Sequence, residues 1–136
     1  MKIRIFRSIL VLFICFSLLG CSNEKESGNI KDITMSIKED TLTSIGATII
    51  IKDESKKNNT YGEFFRIDKK EKGKWKELKT VIKEYGFDEI AYSVNENNKL
   101  ELEHNWEWLY GKLKKGQYRI VKKVNDDYIS TEFNIG

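Results

Sequence analysis

Between residues 33 and 135 apolar side chains recur at every second position, in short runs parted by polar turns. Period two is the repeat of an extended strand with one buried face. Ile33, Met35 and Ile37 alternate with Thr34, Ser36 and Lys38. In 42–51, Ile45, Ala47, Ile49 and Ile51 share one parity. Residues 61–69 place Tyr61, Glu63, Phe65 and Ile67 on one face and Phe64 on the other, and Trp75 and Leu78 mark 74–79. Ile90, Tyr92 and Val94 alternate in 88–94, and Leu100 and Leu102 do so in 99–104. Tyr118, Ile120 and Val124 follow in 117–124, then Ile129, Thr131, Phe133 and Ile135 in 128–135. Turn signals part them: the polar run 53–59, Lys72-Gly73, 95–98 and Asn125-Asp126-Asp127. Seven to nine short strands about ten residues apart predict an all-β antiparallel sandwich. One exception stands out. Trp106, Leu109, Tyr110 and Leu113 fall at helical spacing behind Asn105, which predicts a short helical turn near 105–113 with Asn105 as N-cap. Trp75, Leu78, Ile82 and Tyr85 also suit a helix, so 75–85 is open between strand and helix.

The first twenty residues have a different pattern. Lys2, Arg4 and Arg7 form a basic head, and an 11-residue apolar run, Ile9 to Leu19, follows. A bilayer-spanning helix needs about 20 apolar residues, so this run is too short and reads as a secretory signal peptide. It ends in Leu18-Leu19-Gly20-Cys21, which resembles the lipobox of bacterial lipoproteins; Leu19 departs mildly from the usual Ala or Ser. The resemblance implies cleavage before Cys21 and diacylglycerol on its sulfur. Two acyl chains, at about 0.8 kcal/mol per methylene, anchor stably where one does not. The expected division is then signal peptide 1–20, flexible tether 21–30 and folded domain 31–136. The tether residues Ser22 to Asn29 reach on the order of 16 Å as a coil, which keeps the domain near the membrane.

Cleavage also changes the charge. The whole chain carries +3, but 21–136 keeps 21 of the 24 Lys and Arg against all 21 Asp and Glu. A neutral domain carries no electrostatic argument for nucleic acid. Cys15 leaves with the signal peptide and lipid consumes Cys21, so no disulfide supports the domain.

Leu113-Lys114-Lys115-Gly116-Gln117-Tyr118 has the L-x-x-G-x-Y form of the tyrosine corner of immunoglobulin-like sandwiches. The Tyr118 hydroxyl is expected to return to nearby backbone, and Ile120 stands where antibody domains place a cysteine. Phe65 or Ile67 would replace their core Trp. Over about 31–135 the chain resembles the bacterial Ig-like domain family of Gram-positive lipoproteins and membrane proteins. The matching residues are 61–67, Gly73-Lys74-Trp75, the W-x-W-L-Y-G-K-L segment from Trp106 to Leu113, and 116–122. Lys115 stands where the family often has Pro. The family implies a fold and an extracytoplasmic location, with no reaction and no cofactor.

The residues themselves offer little chemistry. His104 is the sole histidine and lacks a nucleophile motif. Glu101, Glu103 and Glu107 would need a deep cleft for glycoside hydrolysis. Asp126-Asp127 lacks the following ligands of a calcium loop, and no metal site is expected. Exposed aromatics suit sugars or interfaces. Trp106 is expected in the core, with Trp108 or Tyr110 beside it at the surface. Charge is also segregated. Six Lys fall in 69–79, seven acids against one Lys in 84–107, and six basic residues without an acid in 112–123. An immunoglobulin-like topology would put both basic segments on one sheet, and Lys74, Lys76, Lys112, Lys114, Arg119 and Lys123 would form a basic face. The sequence thus predicts a lipid-anchored, non-catalytic interaction module at the cell membrane. Its candidate binding residues are Trp108, Tyr110, Lys112, Lys114, Arg119 and Lys123. Its partner would be an envelope protein, a polysaccharide or an anionic polymer. The alternative is a small envelope hydrolase using Glu103 or Glu107 with His104.

Overall fold

The computed structural model describes residues 30–136, so the expected signal peptide, Cys21 and all but the last residue of the expected tether lie outside the described residues. Seven strands and one helical turn follow in order: β1 (Ile33–Ile37), β2 (Gly46–Asp53), β3 (Arg66–Glu71), β4 (Lys74–Glu77), β5 (Lys99–Asn105), α1 (Glu107–Tyr110), β6 (Gly116–Val124) and β7 (Asp127–Ile135). They form two antiparallel sheets, β1-β2-β5 and β4-β3-β6-β7. This is the antiparallel sandwich that the alternation predicts, with the immunoglobulin-like form that the tyrosine-corner resemblance implies. Ala47, Ile49 and Ile51 of β2 face Ile67 of β3, Tyr118, Ile120 and Val124 of β6 and Ile129 and Phe133 of β7 across one core.

Trp106, fully buried, lies over the Phe133 ring at 5.4 Å, and Phe133 stacks on Tyr118 at 5.7 Å. Its indole N–H needs a partner in so apolar a place and donates to the Ser44 carbonyl at 2.9 Å. The Tyr118 hydroxyl donates to the Lys114 carbonyl at 2.6 Å, so the tyrosine corner forms with Lys115 in the turn. Tyr118→Phe removes that bond alone, with an expected loss of about 0.5–1.5 kcal/mol, or about 3 if the carbonyl stays unpaired. A urea midpoint equal to wild type would show that the hydroxyl does not hold the corner. Gly46 has a steric reason: a Cβ there would sit 2.6 Å from the His104 carbonyl oxygen on β5.

Three expectations need correction. Regular pairing in the third run begins only at Arg66. Residues 88–94 form no strand, and their only sheet-like pairing among the described residues is an isolated bridge of Tyr92 with Tyr61. Tyr61 is anchored by donating to Asp53 at 2.7 Å, and Tyr92 by donating to Glu63. Alternation without a neighbouring ladder is not enough to make a strand. The stretch 75–85 resolves into β4 followed by irregular chain, and α1 is one turn long. Asn105 acts near its expected place: its Oδ1 accepts the Glu107 N–H at 2.9 Å, although Trp106 occupies the cap position.

Candidate functional site

The irregular stretch 78–98 runs past α1 and the end of β3, tied on by Leu78 N–H to Ile67 O and Val81 N–H to Leu109 O. It carries apolar side chains that the core does not take in. Val81, Tyr85, Ile90 and Trp108 are 63%, 46%, 44% and 43% exposed, the large hydrophobics left most open to solvent. Three of the rings are connected. Phe87 meets Trp108 at 5.9 Å and Tyr85 at 6.1 Å, and Tyr85 meets Trp108 at 6.4 Å, all edge to face. Phe87 continues to Phe64 and Phe65 at 5.5 Å each, and Phe65 leads into the core. Edge-to-face contacts between rings fix their orientation. The result is an aromatic platform rooted in the sandwich, and a clustered exposed apolar surface of this kind marks an interaction site.

Trp108 therefore lies where an exposed aromatic was expected, joined by Tyr85 and Phe87, neither of which the sequence reading placed in a site. The sole signal for them was an apolar residue in a run with no strand parity to bury it. Tyr110 is a correction. It is 7% exposed, and its hydroxyl oxygen accepts the Ile67 N–H at 3.2 Å, so it bridges α1 to β3 and cannot meet a ligand. Burial pushes its phenol up to about 12.

The expected basic face does not form. The basic segments do share the β4-β3-β6-β7 sheet, but its register divides them between two sides. Lys69 pairs with both Lys76 and Tyr118, so Lys74 and Lys76 project on the Tyr118 side, and Arg119 and Lys123 on the other. Arg119 is also spent internally. Its Nε donates to Asp68 at 2.7 Å and its guanidinium lies 4.8 Å over Trp75, while Arg66 holds the other Asp68 oxygen at 3.1 Å. Lys112, Lys114 and Lys123 are exposed.

Lys122 was counted among the surface charges and is fully buried. Its parity on β6 is that of Tyr118, Ile120 and Val124, which is the core side. Its ammonium donates to Gly62 O at 2.8 Å and Phe64 O at 2.9 Å, and lies 3.2 Å from His104 Nε2. Nε2 must accept from an ammonium, which leaves the His104 proton on Nδ1. Burial, helped by the Lys122 charge, pushes the imidazole down to about 3, so His104 is neutral. Burial brings Lys122 down to about 8, against the pull of Glu63. This polar pin crosses the sandwich and holds 62–64, the stretch that carries Phe64 to the platform.

The same geometry dissolves the hydrolase alternative. His104 is 3% exposed and packs on Phe65 at 4.9 Å, whereas Glu103 points to solvent on the other side of β5 and Glu107 lies beyond the strand end. The three do not converge. Among the described residues no cluster of His, Cys, Asp and Glu could hold a metal ion.

The sequence model of one protein family, described as bacterial Ig-like domain, matches residues 29–134. No curated protein and no solved structure matches the chain.

Proposed function

The chain belongs to the bacterial Ig-like domain family, and from that premise we propose that it is a non-catalytic binding module anchored to the outer face of the cell membrane by lipid on Cys21. The observation that carries the binding role is the platform of exposed Trp108 and Tyr85 packed edge to face on half-buried Phe87. The anchor rests on the Leu18-Leu19-Gly20-Cys21 sequence behind its short apolar run. Position supports presentation away from the bilayer. The chain enters the domain beside Ile33, opposite Asp53 on β2, whereas α1 follows Asn105, opposite Gly46 at the other end of β2. Seven steps of about 3.3 Å put on the order of 20 Å between those ends. A partner at the platform is then a neighbour in the envelope, such as a protein or a polysaccharide, met by apolar stacking.

One experiment tests both halves. In a Gram-positive host, Cys21→Ala should leave unprocessed precursor and abolish labelling by a fatty-acid probe. Unchanged labelling would remove the anchor. The soluble domain 30–136 should be retained on isolated envelopes, and Trp108→Ala with Tyr85→Ala should reduce retention at least tenfold at unchanged melting temperature. Equal retention of the variant would remove the platform from the function.

A further inference from the structure

The ligand class is written in the charges around the rings. Each ring of the platform, exposed Tyr85 and Trp108 and half-buried Phe87, has an exposed carboxylate beside it in the chain: Glu84 precedes Tyr85, Asp88 and Glu89 follow Phe87, and Glu107 precedes Trp108. Three carboxylates elsewhere on the domain are paired with cations. Glu101 takes both Lys38 and Lys99, Glu71 takes Lys76, and Asp68 takes Arg66 and Arg119. Among the described residues, Glu84, Asp88, Glu89 and Glu107 make none of these ion pairs. The exposed cations Lys79 and Lys83 flank Val81 in the chain, and Lys112 follows Gly111, where a Cβ would lie 3.7 Å from Val81 Cγ1.

Ring faces attract cations through their quadrupole, and Arg stacks on them best. Carboxylates accept the guanidinium fork or the lysine ammonium. A surface that alternates free carboxylates with aromatic rings is therefore complementary to alternating cationic and apolar side chains, and it repels a polyanion. The domain shows the same pairing internally, where Arg119 lies over Trp75 while its Nε holds Asp68. Resting on the platform reading above, we propose that Trp108, Tyr85 and Phe87, with Glu84, Asp88 and Glu107, form a docking surface for an Arg- or Lys-bearing protein segment. The anionic wall polymers suggested by the basic segments are not its ligands. Cationic side chains stack on the rings and their charges are met by the carboxylates at the rim. Specificity lies in the spacing of cations and apolar residues along the partner.

The probe is a ten-residue peptide of alternating Arg and Ala, titrated into the soluble domain 30–136 while tryptophan fluorescence and backbone amide shifts are followed. A Glu-Ala decamer and a chitin hexasaccharide are titrated in parallel. The Arg-Ala peptide should bind saturably, with shifts centred on 84–89 and 107–108. Affinity should fall at least tenfold in Glu84→Gln/Asp88→Asn/Glu107→Gln, which leaves rings and core untouched, and also on raising salt from 50 to 500 mM. Absence of saturable Arg-Ala binding would overturn the proposal, as would shifts elsewhere or an unchanged triple variant. If the saccharide or the Glu-Ala peptide alone perturbs Trp108, the cationic assignment falls and the platform stands. Loss of the platform itself is read separately, from envelope retention of the Trp108→Ala/Tyr85→Ala variant.

Discussion

Lys122→Ala should cost about 3–5 kcal/mol, while Lys122→Met should stay within about 1.5 kcal/mol of wild type. Alanine removes a fully buried four-carbon stem, at about 0.8 kcal/mol per methylene, and leaves a cavity. It also strips the Gly62 and Phe64 carbonyls and His104 Nε2 of their donor. Methionine fills most of that volume. It orphans the same acceptors but also relieves the burial of a charge, and burying an ion costs several kcal/mol. The two substitutions thus separate packing from charge. Denaturant melts with equal losses for both would show that the ammonium, not the stem, holds this region. The wild-type pin also has an alkaline signature. With Lys122 down at about 8 in the fold and near 10.5 unfolded, the unfolded chain binds more protons between these values, so stability rises from pH 8 toward pH 10. Lys122→Met should lack that rise.

Acid should act through His104. Its folded value of about 3 lies well under the ordinary 6.5, so the unfolded chain takes up a proton that the folded chain refuses. The contribution of His104 is present in full above pH 6.5 and is lost as pH falls toward 3. A depression of that size corresponds to about 5 kcal/mol, a large share of a small domain's stability. Asp53 adds its own loss at lower pH. Burial alone would raise its carboxyl, but hydrogen bonds from Ser55, Asn59 and Tyr61 bring it down to about 2, so its share goes only below about pH 4. The fall in melting temperature between pH 6.5 and 4 is therefore the histidine's. In His104→Gln, an amide oxygen can accept from Lys122 without titrating, and the curve should flatten across that window whatever its absolute height. An unchanged slope would show that another group controls acid lability.

Both effects come from one pair of residues, whose meaning was half visible in the sequence. Lys122 shares its parity with Tyr118, Ile120 and Val124, and strict alternation assigns it to the core. A reading by residue type puts a lysine outside instead, because lysine is seldom buried without partners. Its partners are Gly62, Phe64 and His104, which lie 60, 58 and 18 positions away in sequence. No local pattern announces such a cage. Tyr110 failed as a surface residue for a related reason: its hydroxyl meets the Ile67 N–H, 43 positions away.

What the sequence determined by itself is what depends on near neighbours along the chain. Period-two alternation marked β1, β2, β3, β5, β6 and β7, because side chains of opposite parity in a strand point to opposite faces, and left β4 open between strand and helix. The L-x-x-G-x-Y spacing of 113–118 gave the tyrosine corner, whose hydrogen bond spans four residues. The Asn105 side chain reached the N–H two residues on, as a local cap must. Only the tertiary structure decided what long-range packing controls. Antiparallel register put Lys74 and Arg119 on opposite sides of one sheet, and thereby undid a basic face that segment composition implied. The failure of 88–94 to find a partner strand left Tyr85, Phe87 and Ile90 outside any ladder, and the folding of α1 onto that stretch brought Trp108 to them. Alternation specifies which side chains share a face; the elements that pack against that face decide whether it is core, pin or platform.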